Sequence, residues 1–399
     1  TINGEKKSGA FLALLDQLWQ AEKKSLNVKP PANIDAPYKG GWFLYLGYEL
    51  AAEIEPSLDL PISEYRLPDA MAVRCPVAVI INNKNKSTTI IAEPKHQKSF
   101  QMLLDDIKTL VNIPDKTKAV ITTNCREAKA EKYLNDVTRI KKYIIDGDIF
   151  QANLSREWTA SLDENASTVD IFNQLRESNP APFASLIYFK DENVSVISSS
   201  PERLVAVHHN VIETRPIAGT KPRSDSKEND KALAEELLAH PKEQAEHIML
   251  IDLERNDLGR VCLPGSIQVN ELMVLESYSH VHHIVSNIQG ELRDNMLPGD
   301  IIAAVFPGGT ITGCPKVRCM EILAELEDKG RGPYTGSLGY LNHDGDMDLN
   351  ILIRTLYRED QKIYFRAGAG IVADSVPKLE LEETRYKAKA LIKALEETA

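Results

Sequence analysis

Residues Ala184-Ser185-Leu186-Ile187-Tyr188-Phe189 and Val194-Ser195-Val196-Ile197-Ser198-Ser199, joined by the polar Lys190-Asp191-Glu192-Asn193, decide how this chain folds. Two β-rich runs around a four-residue turn read as a hairpin, and 204–215 carries the strand pattern on. A hairpin followed by more strand implies an antiparallel sheet. Outward from it, 40–52, 70–92, 336–341 and 362–366 also read as strands, the second of them turning at Asn82-Asn83-Lys84-Asn85. The largely apolar run 349–356 reads as a mostly buried strand that contains Arg354.

Helical spacing fills the intervals. Phe11, Leu12, Leu15, Leu18 and Trp19 share one face of 8–24, and Phe100, Leu103, Leu104, Ile107 and Leu110 repeat the pattern after Pro94. Tyr133, Leu134, Val137, Ile140, Tyr143 and Ile144 keep the 3.6 period up to Gly147, a suitable C-terminal stop. Segments 227–250, 316–326 and 379–397 read as further helices, and the polar stretch 114–132 reads as a linker or domain seam.

The chain has 399 residues, 43% hydrophobic and 26% charged, a globular composition long enough for a sizeable core. Its 47 Lys and Arg against 58 Asp and Glu give a net charge of −11, which disfavours nucleic acid and anionic lipid as partners and favours a small-molecule substrate. No apolar stretch approaches the roughly 18 to 20 residues of a membrane span. The five cysteines are odd in number and never spaced Cys-x-x-Cys, which argues against a disulfide framework or zinc site and for the cytoplasm.

Several constellations can carry chemistry. Glu380, Glu383 and Lys387 lie within about 60° of one another on one helix face. Glu243 and Glu246 repeat the i, i+3 pair on an earlier helix, and two such helices facing each other supply oxygen ligands suited to Mg²⁺. Each pair alone reads first as a solvated helix face, where Glu-x-x-Glu is very common. The glycine-rich 306–316 leads into a helix with Pro315 suited to its first position; it is not a phosphate loop, because Gly313 is followed by Cys-Pro-Lys. Arg354, buried, demands an anionic partner. Gly368 and Gly370, placed after a strand, offer close backbone approach to a ligand. His280, His282 and His283 cluster, with the last two pointing apart on a strand. Glu202 directly follows the strand 194–199.

Taken jointly, these segments resemble the chorismate-utilising enzymes, a family that includes anthranilate, aminodeoxychorismate, isochorismate and salicylate synthases. The resemblance runs from about Glu131 onward through 147–154, 200–203, 215–220, 245–247, 252–259 and the loop at Pro307. It implies an α+β fold of two large antiparallel β-sheets packed as a sandwich with flanking helices. An N-terminal region over 1–120 would precede a chorismate-binding catalytic region over 131–397. It further implies that Glu246 and Glu383 hold Mg²⁺, with Glu243 and Glu380 beside them. Glu202 would be the general acid, with His283, Gln151 and Thr220 completing the catalytic set. Ala218, Gly219 and Thr310 would line the substrate pocket, and Tyr334, Arg354, Gly368, Gly370 and Lys387 would make the remaining substrate contacts. Tryptophan is a possible ligand of the N-terminal region.

Gln151 stands where water-adding members carry a lysine base, and an amide cannot act as that base. This favours the members that receive ammonia from a glutamine amidotransferase subunit. The segments 151–154 and 307–313 look like the aminodeoxychorismate branch, so amination of chorismate at C4, feeding 4-aminobenzoate and folate, is the expectation. Anthranilate synthesis is the runner-up, because Ala218 stands where many aminodeoxychorismate synthases place a lysine nucleophile.

Overall fold

The computed structural model describes residues 9–25, 36–110, 122–190, 192–278 and 281–396; Asp191, His280 and 114–121 of the seam lie outside them. The hairpin forms as read, Phe183–Phe189 pairing with Val194–Ser200. The chain then leaves that sheet. At Pro201-Glu202 it crosses to a second one, where Arg203–His208 and Val211–Arg215 make a hairpin of their own.

The first sheet has seven strands, in spatial order Gly313–Cys314, Gln151–Leu162, Lys362–Ile371, Thr355–Glu359, Val194–Ser200 and Phe183–Phe189, with Thr122–Glu127 pairing on Gln151–Leu162. The second has nine. Its order is Ile217–Pro222, Val281–Glu291, Val211–Arg215, Arg203–His208, Met347–Asn350, Ser337–Asn342, Gly41–Leu46 and Ala70–Cys75, with Gln268–Ser277 pairing on Val281–Glu291. Neighbouring strands run antiparallel in both sheets.

The sheets face each other across Tyr45, Leu338, Phe189, Val194, Val196 and Tyr357, all buried, the first two from the larger sheet and the rest from the smaller. Each outer face is covered by helices, as burial of both faces requires. Helices Phe11–Ser25, Pro241–Gly259 and Pro298–Val305 bury Leu15, Leu258 and Ile302 with Leu44 of the larger sheet. Helices Thr168–Ser178 and Pro377–Leu395 pack on Trp158 and Ile197. Helices Ala130–Ile145 and Lys316–Glu327 cover Leu154 and Ala369. The α+β sandwich with flanking helices is therefore the observed architecture. No helix among the described residues is long and apolar enough to cross a membrane.

Several local readings need correction. The run 349–356 is not one strand: Met347–Asn350 ends in the larger sheet, 351–354 crosses over, and Thr355–Glu359 begins in the smaller sheet. Arg354 makes that bend at φ +50°. A crossover between packed sheets is as apolar as a buried strand, so composition does not separate the two. The segment 227–250 is broken into Lys227–Ala239 and Pro241–Gly259, because the proline forces His240 out of helical geometry, to ψ 113°. The strand in 40–52 stops at Leu46 and gives way to a 3₁₀ turn and the short helix Ala51–Ile54. In 70–92, Pro76 divides Ala70–Cys75 from the separate hairpin Val77–Asn82 and Ser87–Ala92. Gly368 and Gly370 lie inside strand Lys362–Ile371 rather than after a strand, and Pro315 is the N-cap of its helix rather than its first residue.

Candidate active site

The two crossovers lie side by side. Ile351 N donates to Glu202 O at 3.0 Å and Ser199 N to Arg354 O at 3.1 Å. Passing between sheets exposes backbone groups that no ladder satisfies, and here each crossover satisfies the other. Glu202 and Arg354 are thereby set at the seam between the sheets.

Glu202 is 4% exposed. Burial pushes its carboxyl up to about 7, opposed by the Thr310 hydroxyl, the Ile217 N–H and the charges of Lys387 and Arg354. Thr310 Oγ1, in the 3₁₀ turn Gly309–Ile311, is itself buried without a full hydrogen bond. Arg354 Nη1 donates to Asn179 Oδ1 at 3.2 Å, and burial lowers its pKa. Among the described residues no carboxylate ion-pairs with this guanidinium, so the anionic partner its burial calls for is not supplied by the nearby side chains.

His282 and His283 diverge as strand geometry requires. His282 is held between Asp230 and Ser277. His283 Nδ1 lies 2.9 Å from Thr220 Oγ1, while its buried Nε2 has no partner. Burial, reinforced by Arg354, pushes this imidazole down to about 4, so it is neutral at pH 7. Thr220 closes a bulge in strand Ile217–Pro222 that begins at the buried Ala218. The bulge turns on Gly219, φ +71°, where a Cβ would stand 2.9 Å from Glu243 Oε2.

Two helices carry the remaining charged candidates. Pro241–Gly259 presents Glu243 and Glu246, and Pro377–Leu395 presents Glu380, Glu383 and Lys387. Gln151 Nε2 donates to Glu246 Oε1 at 2.7 Å. Burial raises the Glu246 pKa, as do the charges of Glu243 and Glu383. Lys387 Nζ meets Glu383 at 2.8 Å and Gly368 O at 3.1 Å. Its charge acts on Glu202, His283, Glu246, Glu380 and the buried Tyr334 alike. Glu380 is buried, and its raised pKa comes chiefly from that burial. Gly368 and Gly370 let strand Lys362–Ile371 pass close to the site: a Cβ would meet Asn153 Oδ1 at 2.4 Å at the first and Gln151 Nε2 at 2.4 Å at the second.

Glu243, Glu246, Glu380 and Glu383 outnumber the lysines whose charge reaches them, Lys387 and Lys242. Carboxylate oxygens are hard donors of the kind Mg²⁺ takes. A cleft of about 750 Å³ between Phe150, Ile248, Met249, Phe306 and Met320 lies on another face of the Pro241–Gly259 helix and includes none of these carboxylates.

Sequence reasoning gave no role to Glu254, Asp257 and Lys316. All three are at least largely buried: Lys316 Nζ pairs with Asp257 Oδ2 at 2.5 Å, and Glu254 accepts from Thr214 Oγ1 at 3.1 Å, its pKa raised by burial and by Asp257. The signal was available. Leu250, Leu253, Glu254 and Asp257 share one helical face, so the two acids were placed among apolar residues. Asn179, the Arg354 partner, had no comparable mark.

A buried acid and an arginine with no carboxylate partner among the described residues thus stand at the seam between the sheets. Residues 2–393 match the family model described as chorismate binding enzyme, and the chain belongs to that family of chorismate-utilising enzymes. It is 43% identical over 368 residues to an anthranilate synthase component I-like protein of Synechocystis, covering 90% of this chain and 73% of that protein. It is 42% identical over 368 residues to aminodeoxychorismate synthase component 1 of Bacillus subtilis, covering 90% and 77%. The structure of anthranilate synthase component I from Streptococcus pneumoniae superposes with a TM-score of 0.85 at 31% identity, covering 98% of this chain and 87% of that one.

Proposed function

We propose that the chain aminates chorismate at C4, giving 4-amino-4-deoxychorismate with ammonia from a glutamine amidotransferase partner. Glu246 and Glu383 would hold Mg²⁺, with Glu243 and Glu380 beside them. Bound there, the ion supplies a Lewis acid that draws electron density from the substrate ring. Arg354 and Lys387 provide the charge for the substrate's carboxylates. Glu202, protonated below about pH 7, gives its proton to the departing C4 oxygen as the C4–O bond breaks. Neutral His283, fixed by Thr220, borders the ring.

The nucleophile comes from outside the chain. Gln151 spends its amide on Glu246 and offers no base to activate water. Ala218 has a methyl group where a side-chain amine could otherwise add at C2, so ammonia forms the new C–N bond directly and water is the other product.

One observation carries the choice of branch: Asn153 N donates to Thr312 O at 2.9 Å, and Asn153 Nδ2 to Thr310 O at 3.4 Å. The segments 151–154 and 307–313, which look like the aminodeoxychorismate branch, therefore form one continuous surface. Ala218 favours a second reading, anthranilate synthesis. Chromatography of a reaction containing chorismate, Mg²⁺ and ammonium tests both. We expect 4-amino-4-deoxychorismate; anthranilate with pyruvate overturns the branch, and intact chorismate overturns the activity.

A further inference from the structure

We propose that His208, His209 and Asp346 form a second metal site, for a late first-row divalent cation, at the end of the larger sheet away from Glu202. Strand Arg203–His208 begins beside Glu202 and ends at His208, six residues on and so about 20 Å away. There His209 and Asn210, at φ +48° and +69°, close a two-residue hairpin to Val211–Arg215. Such a turn matches the twist of its strands and leaves both histidines at an exposed tip. Their rings stand 3.9 Å apart, centroid to centroid.

The neighbouring turn supplies the carboxylate. Met347 pairs with Val207, so the turn before Met347–Asn350 lies against the histidine tip. Asp346 Oδ2 is 3.0 Å from His208 Nδ1, and Oδ1 accepts from His209 N at 2.9 Å. One donor atom from each of the three residues lies within 4.8 Å of the others. Metal bonds of about 2.0–2.2 Å require these atoms to draw in somewhat, and the His208 side chain, 69% exposed, is free to turn.

Charge favours occupancy. Lys39 Nζ is shared by Asp344 at 2.9 Å and Asp346 at 3.0 Å, so two carboxylates face one ammonium and one negative charge is left over. The ammonium can withdraw to Asp344 when a cation takes Asp346. Two imidazoles with a single carboxylate suit Zn²⁺, Ni²⁺ or Cu²⁺ and not Mg²⁺, which seeks oxygen. A bound ion would tie the hairpin tip to the 342–346 turn.

Calorimetric titration of the full chain with Ni²⁺ in excess Mg²⁺, which occupies the carboxylate helices, tests the site whatever the reaction proves to be. We expect one equivalent to bind and to raise the thermal midpoint, with His208→Ala and His209→Ala each weakening binding about tenfold or more. Melting without metal confirms that these exposed-tip variants fold. Absence of binding, or equal affinity in wild type and both variants, overturns the proposal.

Discussion

Gln151 Nε2 donates to Glu246 Oε1 at 2.7 Å, and this bond joins the smaller sheet to one acidic helix. It favours the ionised carboxylate against the burial and the Glu243 and Glu383 charges that oppose it. Removing it in Gln151→Ala should raise the Glu246 pKa further. Mg²⁺ affinity is expected to fall about tenfold, and the pH at which Mg²⁺ binding is half lost should move upward. Gly370→Ala should mimic it, since the new Cβ would stand 2.4 Å from the same nitrogen. Mg²⁺ titrations across a series of pH values check both; an unchanged profile in both variants would show that the amide does not tune the carboxylate.

Glu202 couples pH to stability as well as to rate. Its folded pKa of about 7 lies above the ordinary carboxyl value, so the folded state binds this proton more tightly than the unfolded one. The associated stability is fully present below about pH 4.5 and is lost as pH rises through about 7. Glu202→Gln removes that loss: the variant should gain on the order of 3 kcal/mol relative to wild type between acid pH and pH 8. Its turnover of chorismate should fall roughly 10² to 10⁴-fold, and wild-type activity should decline above about pH 7. His283, depressed to about 4, acts oppositely: its contribution is present above pH 6.5 and lost as pH falls through 4. Denaturation curves at several pH values separate the two.

The hairpin at 183–200 and the periodic helices could be read from sequence because both depend on local pattern, whereas Glu202 stands out as the general acid only through the family resemblance. What pattern cannot reveal is a change of sheet. The chain crosses between sheets at 201–202 and again at 351–354, and the second crossing looked like uninterrupted strand because a crossover buried between layers is equally apolar. The break at Pro241 could have been read, since proline dislodges the residue before it. Partners far apart in sequence could not: nothing near Glu327 announces Arg366, and nothing near Arg354 announces Asn179.

The Glu327 cluster makes that last point measurable. Glu327 is 3% exposed at its side chain and meets Arg331 at 2.7 Å and Arg366 at 2.9 Å, while Ser155 N and Oγ donate to it. Burial opposes its charge, but the two guanidinium groups hold its carboxyl below the usual range. Glu327→Gln would leave two buried cations without a counter-charge, at a cost of about 3–5 kcal/mol. Because its folded pKa is depressed, wild-type stability from this group is present above about pH 4.5 and lost as acid protonates it. Chemical denaturation of the variant at pH 7 should show the deficit; a loss under about 1 kcal/mol would mean the guanidinium groups find other partners.

Ala218 offers a direct test of the nucleophile. It is 5% exposed and sits at the start of the bulge that carries Gly219 and Thr220 toward His283. The next residue, Gly219, is crowded by Glu243, and Thr220 beyond it meets His283. Burial favours the neutral amine of a lysine placed at 218, and a nearby carboxylate opposes it. That amine can bond to C2 of chorismate while the C4 hydroxyl leaves with the Glu202 proton. Ala218→Lys with chorismate and Mg²⁺, without ammonium, should therefore gain the mass of chorismate less water, and Glu202→Gln in the same background should slow the gain. Wild type, with no amine at this position, should show none. An unmodified Ala218→Lys protein that still binds chorismate would place C2 out of reach of strand Ile217–Pro222, and the direct attack by ammonia proposed for the natural chain would then need a different approach to the ring.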